Sequence, residues 1–402
     1  MASTVGSRMA TTGNGAAAYA MKQIEPHVVA AYPITPTTTV VEEFSEYVNN
    51  GEVRTEFVPT ESEHSAMSAC IGAAAAGARV ITATASQGLA LMWEMLYIAS
   101  GMRLPIVLIV GNRALSAPIN IHCDHSDSMG ARDSGWIQLY CKNAQEVYDT
   151  VIQAVRIGEH PDVRLPVMVC YDGFITTHAI TPIDPLEDEK VKAFIGPYKP
   201  VYPLLDVHNP VTYGALDLFD YYFEHRRQSI EAMVPALRVI QQVGAEFGGL
   251  SGREYGLVEA YRLDDAEVGL VAMSSAASTA EVAVDQLREQ GEPVGLLRLR
   301  AYRPFPISEV VRRLRHLKAV CVLDRAAAPG AQAGPVGLDV RSALLDLNSR
   351  PQITNAVFGL GGRDLGLDDI VSVFRRLQKI AQSGRVEEPL FYLGLRGGNH
   401  VD

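Results

Sequence analysis

Between Tyr32 and Asp127 the chain repeatedly closes an apolar, β-branched run on a turn of polar residues. The turns read Tyr32-Pro33-Ile34-Thr35-Pro36, Thr60-Glu61-Ser62-Glu63-His64, Ala85-Ser86-Gln87-Gly88 and Gly111-Asn112-Arg113, the last running on to Asp124-His125-Ser126-Asp127. Strands are expected over 27–32, 56–58, 79–84, 106–111 and 167–171. Helical patterns separate them, near 15–24, 39–48, 63–76, 88–99 and 144–157. Strands spaced by helices imply βαβ units and a mainly parallel sheet covered on both faces. The fold class is therefore α/β and doubly wound. In such a sheet, groups at the C-terminal ends of the strands converge on the crevice where ligands bind. A hydroxyl, a carboxylate and a guanidinium gathered there form a site for a charged small molecule.

The chain has 402 residues, more than the roughly 250–300 at which a single core stops growing. The alternation defines a first domain over 1–182. It breaks over 183–259, where Pro185, Pro197, Pro200, Pro203 and Pro210 favour extended backbone and a helix-like stretch, 226–247, is interrupted by Pro235. We read this as a connection packed against domain surfaces, since its aromatic content is too high for a floppy linker. Alternation resumes in a second, smaller α/β domain over 260–386. Strands are expected there at 268–273, 294–299, 319–323 and 354–358, with helices at 279–290, 307–317, 336–347 and 368–381. A tail over 387–402 follows.

A net charge of −11 argues against a phosphate-neutralising, nucleic-acid-binding surface. The five cysteines, Cys70, Cys123, Cys141, Cys170 and Cys321, contain no C-x-x-C pair, so neither an iron–sulfur cluster nor a zinc ribbon is expected from this chain alone. Their odd number and wide scatter point to a reducing cytoplasm. Residues 1–13 lack the apolar segment of a signal peptide, and no apolar run reaches the roughly 20 residues of a membrane span. The expectation is a cytoplasmic protein.

Each polar turn has two readings. Thr60-Glu61-Ser62-Glu63 fits a capping box, with Thr60 as N-cap and Glu63 three residues into the helix. Alternatively, Glu63 sits desolvated beside a helix of alanines and glycines that admits a flat ligand, suited to passing a proton to a ring nitrogen. Among Thr35, Thr37, Thr38 and Thr39 one hydroxyl is expected to cap the next helix, and Thr35, at the strand end, is the candidate for ligand contact. Arg113 either pairs with a nearby acid or grips a carboxylate bidentately. His122, Asp124, His125 and Asp127 raise the prospect of a metal, against which stands the crowding of adjacent residues that do not all face one ion. Ser86-Gln87-Gly88 reads as an N-cap with close helix packing, and Gly359–Arg363 as a domain-contact turn.

Together, Tyr32-Pro-Ile-Thr-Pro, Glu61-Ser-Glu-His-Ser-Ala, Ala85-Ser-Gln-Gly-Leu, Arg113-Ala-Leu-Ser-Ala-Pro, Asp124-His-Ser-Asp, Arg132-Asp-Ser-Gly-Trp, Tyr171-Asp-Gly-Phe and Arg303-Pro-Phe-Pro resemble the alpha subunits of pyruvate:ferredoxin oxidoreductases, within the 2-oxoacid:acceptor oxidoreductase family. The resemblance implies a thiamine-diphosphate enzyme divided among several chains, with a pyrimidine-binding-type first domain and a transketolase C-terminal-like second domain. It implies that Glu63 hydrogen-bonds N1′ of the aminopyrimidine and that Thr35 and Arg113 contact the 2-oxoacid. The implied reaction is coenzyme A-dependent oxidative decarboxylation of pyruvate, with electrons passed to ferredoxin. The family's Mg²⁺–diphosphate element, Gly-Asp-Gly followed by an asparagine, is approached only by Tyr171-Asp172-Gly173. A beta-type chain holding diphosphate and Mg²⁺, a delta-type chain carrying [4Fe-4S] clusters and a gamma-type chain are therefore implied as partners. Two alternatives stand beside this: an oxidoreductase for another 2-oxoacid such as 2-oxoisovalerate, and a metal-dependent hydrolase built on the His122–Asp127 loop.

Overall fold

Val107–Asn112 and Val167–Asp172 are buried at every position, as strands flanked by helices on both faces require. In the computed structural model, which describes residues 7–397, they occupy the middle of a parallel sheet. Ile81–Thr84 lies beyond Val107–Asn112, and Ile137–Tyr140 beyond Val167–Asp172. Val28–Ala31 and Glu56–Pro59 pair in parallel and continue the sheet through a bridge between Val28 and Val80. The strand Ile137–Tyr140 escaped the sequence reading because Gln138 breaks its apolar run. That glutamine is fully buried and donates to the Ser128 carbonyl at 2.8 Å.

The second sheet runs, in spatial order, Leu390–Tyr392, Gln352–Val357, Ala319–Asp324, Val268–Ala272, Val294–Leu299 and Val258–Tyr261. Its strands are parallel except the last, which is antiparallel to Val294–Leu299. Leu390–Tyr392 comes from the stretch read as a tail. Residues 1–6 and 398–402, parts of the polar N-terminal stretch and of that tail, lie outside the described residues.

The two sheets are physically joined. After Val294–Leu299 the chain crosses over, and Ala301–Arg303 pairs antiparallel with Ile137–Tyr140 on the edge of the first sheet. One apolar core contains Met67, Leu108 and Tyr140 of the first unit together with Val271, Leu297 and Val322 of the second. The Pro-rich stretch is also more ordered than its composition suggests. Thr181–Ile183 pairs with Met9–Thr11, and helix Asp188–Ile195 buries Val191, Phe194 and Ile195 in the first core. Helix Tyr222–Ser251 passes through Pro235 unbroken. Proline removes one helical hydrogen bond, and burial of Ala232, Ala236, Val239, Ile240, Val243 and Phe247 against that core offsets the loss. Among the described residues no helix is long and apolar enough to cross a membrane.

Candidate functional site

The helix Glu63–Ala76 buries Glu63, Ala66, Met67, Cys70, Ile71, Ala74 and Ala75. That spacing is the stripe of an amphipathic helix, and Glu63 is its first member, so the pattern that packs the helix also carries the carboxylate inward. The helix starts later than the capping-box reading requires. Ser62 is the N-cap, its hydroxyl accepting from the Ser65 amide at 3.2 Å, while the Thr60 hydroxyl donates to the Ser62 and Ala31 carbonyls. Glu63 is therefore no capping residue. It is 6% exposed and makes no side-chain hydrogen bond or ion pair among the described residues.

Gly88, in the helix Ser86–Leu91 that follows strand Ile81–Thr84, forms the opposite wall. A Cβ at Gly88 would lie 2.7 Å from Glu63 Oε1 and 2.5 Å from Thr84 Oγ1. The Thr84 hydroxyl is buried and lacks a hydrogen-bond partner. A buried carboxylate and a buried hydroxyl left unpaired around a glycine are costly in an empty protein. Such a pair fits a ligand that offers polar atoms of its own.

Asp127 ties this wall to the next strand end. Its Oδ2 accepts from the backbone amides of Ser86 (3.0 Å) and Arg113 (2.9 Å). Its Oδ1 accepts from Asn112 Nδ2 (2.8 Å) and the Ser128 amide (2.7 Å). Burial nonetheless pushes the Asp127 carboxyl up to about 6, against the pull of those donors. Ser86 takes a positive φ of 48° to aim its amide there. It is the first residue of its helix rather than the cap, which is Ala85, and its hydroxyl donates to the Ala114 carbonyl.

Arg113, 8% exposed, donates through Nη1 to the Thr35 carbonyl at 3.0 Å and through Nε to the Asn120 carbonyl at 3.1 Å. Its Nη2 has no partner among the described residues. Arg113 and Thr35 thus meet, as expected of two residues serving one ligand, but through the threonine's carbonyl and not its hydroxyl. None of the neighbouring threonines caps the next helix by its side chain: Thr37 holds the N-cap position while its hydroxyl donates to the Ile34 carbonyl. Glu63, Thr35 and Arg113 all sit where strands of the first sheet end.

The His122–Asp127 loop does not form a metal cage. Asp127 is saturated as above, Asp124 accepts from the Ser126 amide, His122 lies 4.7 Å, centroid to centroid, from Phe174, and His125 turns to Asp172 at 2.7 Å. Cys123, His125 and Asp172 do bring potential ligand atoms within 4.8 Å of one another, but the buried Arg325 guanidinium already lies 3.9 Å from Asp172. The Ser275 amide also donates to Asp172 at 3.0 Å. Burial opposes ionisation of Asp172, yet Arg325, His125 and Ser275 outweigh it and hold its carboxyl far below the usual carboxylate range. The carboxylate of Tyr171-Asp172-Gly173 is thereby committed to a latch between the two sheets. The turn around Gly361 closes the same seam, its carbonyl accepting from Asn120 Nδ2 at 3.1 Å and the Gly362 amide donating to the Cys123 carbonyl at 2.6 Å.

The sequence reading singles out neither Thr84 nor Asn120, takes Gly88 only as a close-packing residue of its turn, and raises a metal at Asp127 without favouring it. The signal for Asp127 was present: turns at Ser86 and Arg113 each expose an amide at a strand end, and a buried carboxylate is the group that satisfies two of them.

Comparison with known proteins gives two family matches. Residues 19–245 match the pyruvate flavodoxin/ferredoxin oxidoreductase, thiamine-diphosphate-binding family, and residues 266–370 match pyruvate:ferredoxin oxidoreductase core domain II. The chain is 54% identical over 389 residues to the pyruvate synthase subunit PorA of Thermotoga maritima, covering 97% of this chain and 98% of that one. It is 42% identical over 386 residues to the ketoisovalerate oxidoreductase subunit VorA of Pyrococcus abyssi, covering 96% and 97%. Among solved structures, the 2-oxoglutarate:ferredoxin oxidoreductase of Magnetococcus marinus superimposes with a TM-score of 0.73 at 19% identity, over 92% of this chain and 65% of that one. A split-gene transketolase, solved as an inactive β4 tetramer, gives 0.54 at 12% identity over 93% and 100%. These two likenesses concern the fold, a pyrimidine-binding-type domain followed by a transketolase C-terminal-like one.

Proposed function

The chain belongs to the pyruvate flavodoxin/ferredoxin oxidoreductase family, and on that premise we propose that it is the alpha subunit of a cytoplasmic pyruvate:ferredoxin oxidoreductase. The reaction is the coenzyme A-dependent oxidation of pyruvate to acetyl-CoA and carbon dioxide, reversible as pyruvate synthase. The observation that carries this reading is the buried, unpaired carboxylate of Glu63, facing the unpaired Thr84 hydroxyl across Gly88.

Thiamine diphosphate, when bound, supplies the nucleophilic carbon and the electron sink that decarboxylation of a 2-oxoacid needs. This chain's part is to hold the aminopyrimidine end. Glu63 would hydrogen-bond the ring nitrogen and exchange a proton with it, and burial keeps water from competing for that carboxylate. Gly88, by lacking a Cβ, makes room for the Glu63 side chain to lie against its backbone. The free Nη2 edge of Arg113 would take the substrate carboxylate by a charge-assisted hydrogen bond, its orientation fixed by the Thr35 and Asn120 carbonyls. With Asp172 committed to the latch, the diphosphate and Mg²⁺ fall to a beta-type chain, the [4Fe-4S] clusters to a delta-type chain, and a gamma-type chain completes the complex that reduces ferredoxin.

The test is Glu63→Gln in the assembled complex. Turnover of pyruvate is expected to fall by roughly 10²–10⁴-fold with assembly intact; unchanged turnover would sink the role of Glu63. The similarity to a ketoisovalerate oxidoreductase subunit supports a second reading, a branched-chain 2-oxoacid as substrate. The ratio of kcat/KM for pyruvate to that for 2-oxoisovalerate separates the two. The metal-dependent hydrolase has no comparable support, because the four side chains it requires point to different partners.

A further inference from the structure

The segment from Val201 to Phe223 displays an unusual surface. Leu216 is 90% and Phe219 99% exposed, and Tyr202, Tyr221, Tyr222 and Phe223 are all more than half exposed. With aromatic side chains of about 200 Å² each, the exposed fraction of the five aromatic residues alone amounts to about 700 Å². The largest apolar patch on a monomeric protein is commonly about 300–600 Å², and a stable interface takes roughly 800 Å² from each partner.

This ridge is no loose linker that has failed to collapse. Its backbone is pinned: the Leu204 amide donates to the Ala75 carbonyl at 2.8 Å, and Pro200 and Pro203 sit over Gly77, where a Cβ would meet Pro203 at 2.9 Å. The Tyr213 hydroxyl donates to the Tyr202 carbonyl at 3.0 Å. Arg226 lies over the Tyr97 ring at 5.9 Å, and Arg103 Nη1 donates to the Gln228 carbonyl at 3.2 Å. The segment is held on the domain while its large apolar side chains face outward.

The anchors connect the ridge to the site. Ala75 and Gly77 close the helix that Glu63 begins, and Tyr97 belongs to the helix Trp93–Gly101, which follows the helix bearing Gly88. A helix of 14 residues spans about 21 Å, a distance one standard interface bridges. Beyond the His64–Glu94 ion pair, the outward face of that helix is made of small residues: Ser65, Ser68, Ala69 and Ala73 are half-buried, and a Cβ at the exposed Gly72 would meet only open space.

We propose that the ridge Val201–Phe223 is a docking surface for the chain that supplies the diphosphate half of the site, continuing the contact that begins at Glu63. The inference rests on the reading above for the identity of that chain. The surface reaches beyond the mouth of the site, so the partner is gripped at a distance from the chemistry.

The experiment is co-expression of the complex with Phe219→Ser/Phe223→Ser and, separately, Leu216→Asp. These positions are exposed, so the melting temperature of the purified chain serves as the folding control. The readouts are the dissociation constant between this chain and the diphosphate-binding chain and the mass of the complex by light scattering. Pairing at least about 100-fold weaker, with an unchanged melting temperature, is expected from losing two central aromatic anchors. Unchanged pairing in both variants overturns the proposal. So does loss of a self-dimer of this chain while pairing persists, which assigns the ridge to a second copy. Turnover of pyruvate by the wild-type complex tests the functional reading separately, so either can fail alone.

Discussion

Replacing Asp127 by asparagine removes a charge while keeping the shape, and the outcome follows from two opposed costs. At neutral pH the wild-type carboxylate is held ionised although its pKa is raised from 3.8 to about 6; the rise corresponds to roughly 3 kcal/mol of penalty that the amide escapes. Against this, an amide can present only one oxygen. Its NH₂ then faces either the Ser86 and Arg113 amides or the Asn112 amide and Ser128 amide, losing two charge-assisted bonds of about 1.5–3 kcal/mol each. The escape from burying a charge and the loss of donors oppose one another, so the change in stability is small beside the total stability of a domain. Function should suffer more, because either orientation loosens the turn that carries Arg113, through its own amide or through the neighbouring Asn112. We expect KM for the 2-oxoacid to rise about tenfold or more (a displacement worth about 1.4 kcal/mol) in a complex that still assembles. Urea unfolding adds a second readout. Because the folded pKa lies above the unfolded one, ionised Asp127 costs stability, so through this group stability is greatest below pH 4 and declines as pH rises towards 6. Asp324, pushed up to about 6 by burial, and the raised Asp149 and Glu159 carboxyls contribute slope of the same sign, so the variant should show a shallower slope and not lose it altogether. A variant with wild-type KM, or with the full wild-type slope, would refute the reasoning.

Gly88→Ala places a methyl 2.7 Å from Glu63 Oε1 and 2.5 Å from Thr84 Oγ1; thiamine-diphosphate affinity of the complex, titrated by fluorescence quenching, should drop at least about tenfold, and the overpacking should cost about 1–3 kcal/mol in urea unfolding. Asp172→Ala strands the buried Arg325 and His125 and should cost about 3–5 kcal/mol in urea unfolding of the chain. Since the Asp172 carboxyl is held far below its usual range, its contribution is present above the unfolded pKa and should stay constant between pH 5 and 8, so a latch that melts within that window contradicts the assignment.

Much of the scaffold was legible from period alone. The strand–helix alternation and the placement of Glu63, Thr35 and Arg113 at strand ends needed only apolar runs and turn residues. The failures share one cause: the fate of a polar residue is set by partners distant in sequence. Gln138 hid a strand because its side-chain NH₂ is buried on the Ser128 carbonyl. Pro235 looked like a break because the burial that carries the helix through it lies on another element. The polar cluster at His122–Asp127 resembled a ligand set because its members are adjacent in the chain, yet His125 belongs to Asp172 and Asp127 to the amides of Ser86 and Arg113.

What the sequence by itself determined is therefore the α/β class, the end of the sheet where chemistry occurs and the residue types available to it. The tertiary structure decided which of these residues remain free. Glu63 and the outer edge of Arg113 are left unpaired, whereas Asp127, His125 and Asp172 are spent on holding strand ends and domains together. The physical reason is that buried polar groups must be satisfied, and only the fold says by whom; those still unsatisfied after the protein has used its own partners are the ones available to a ligand.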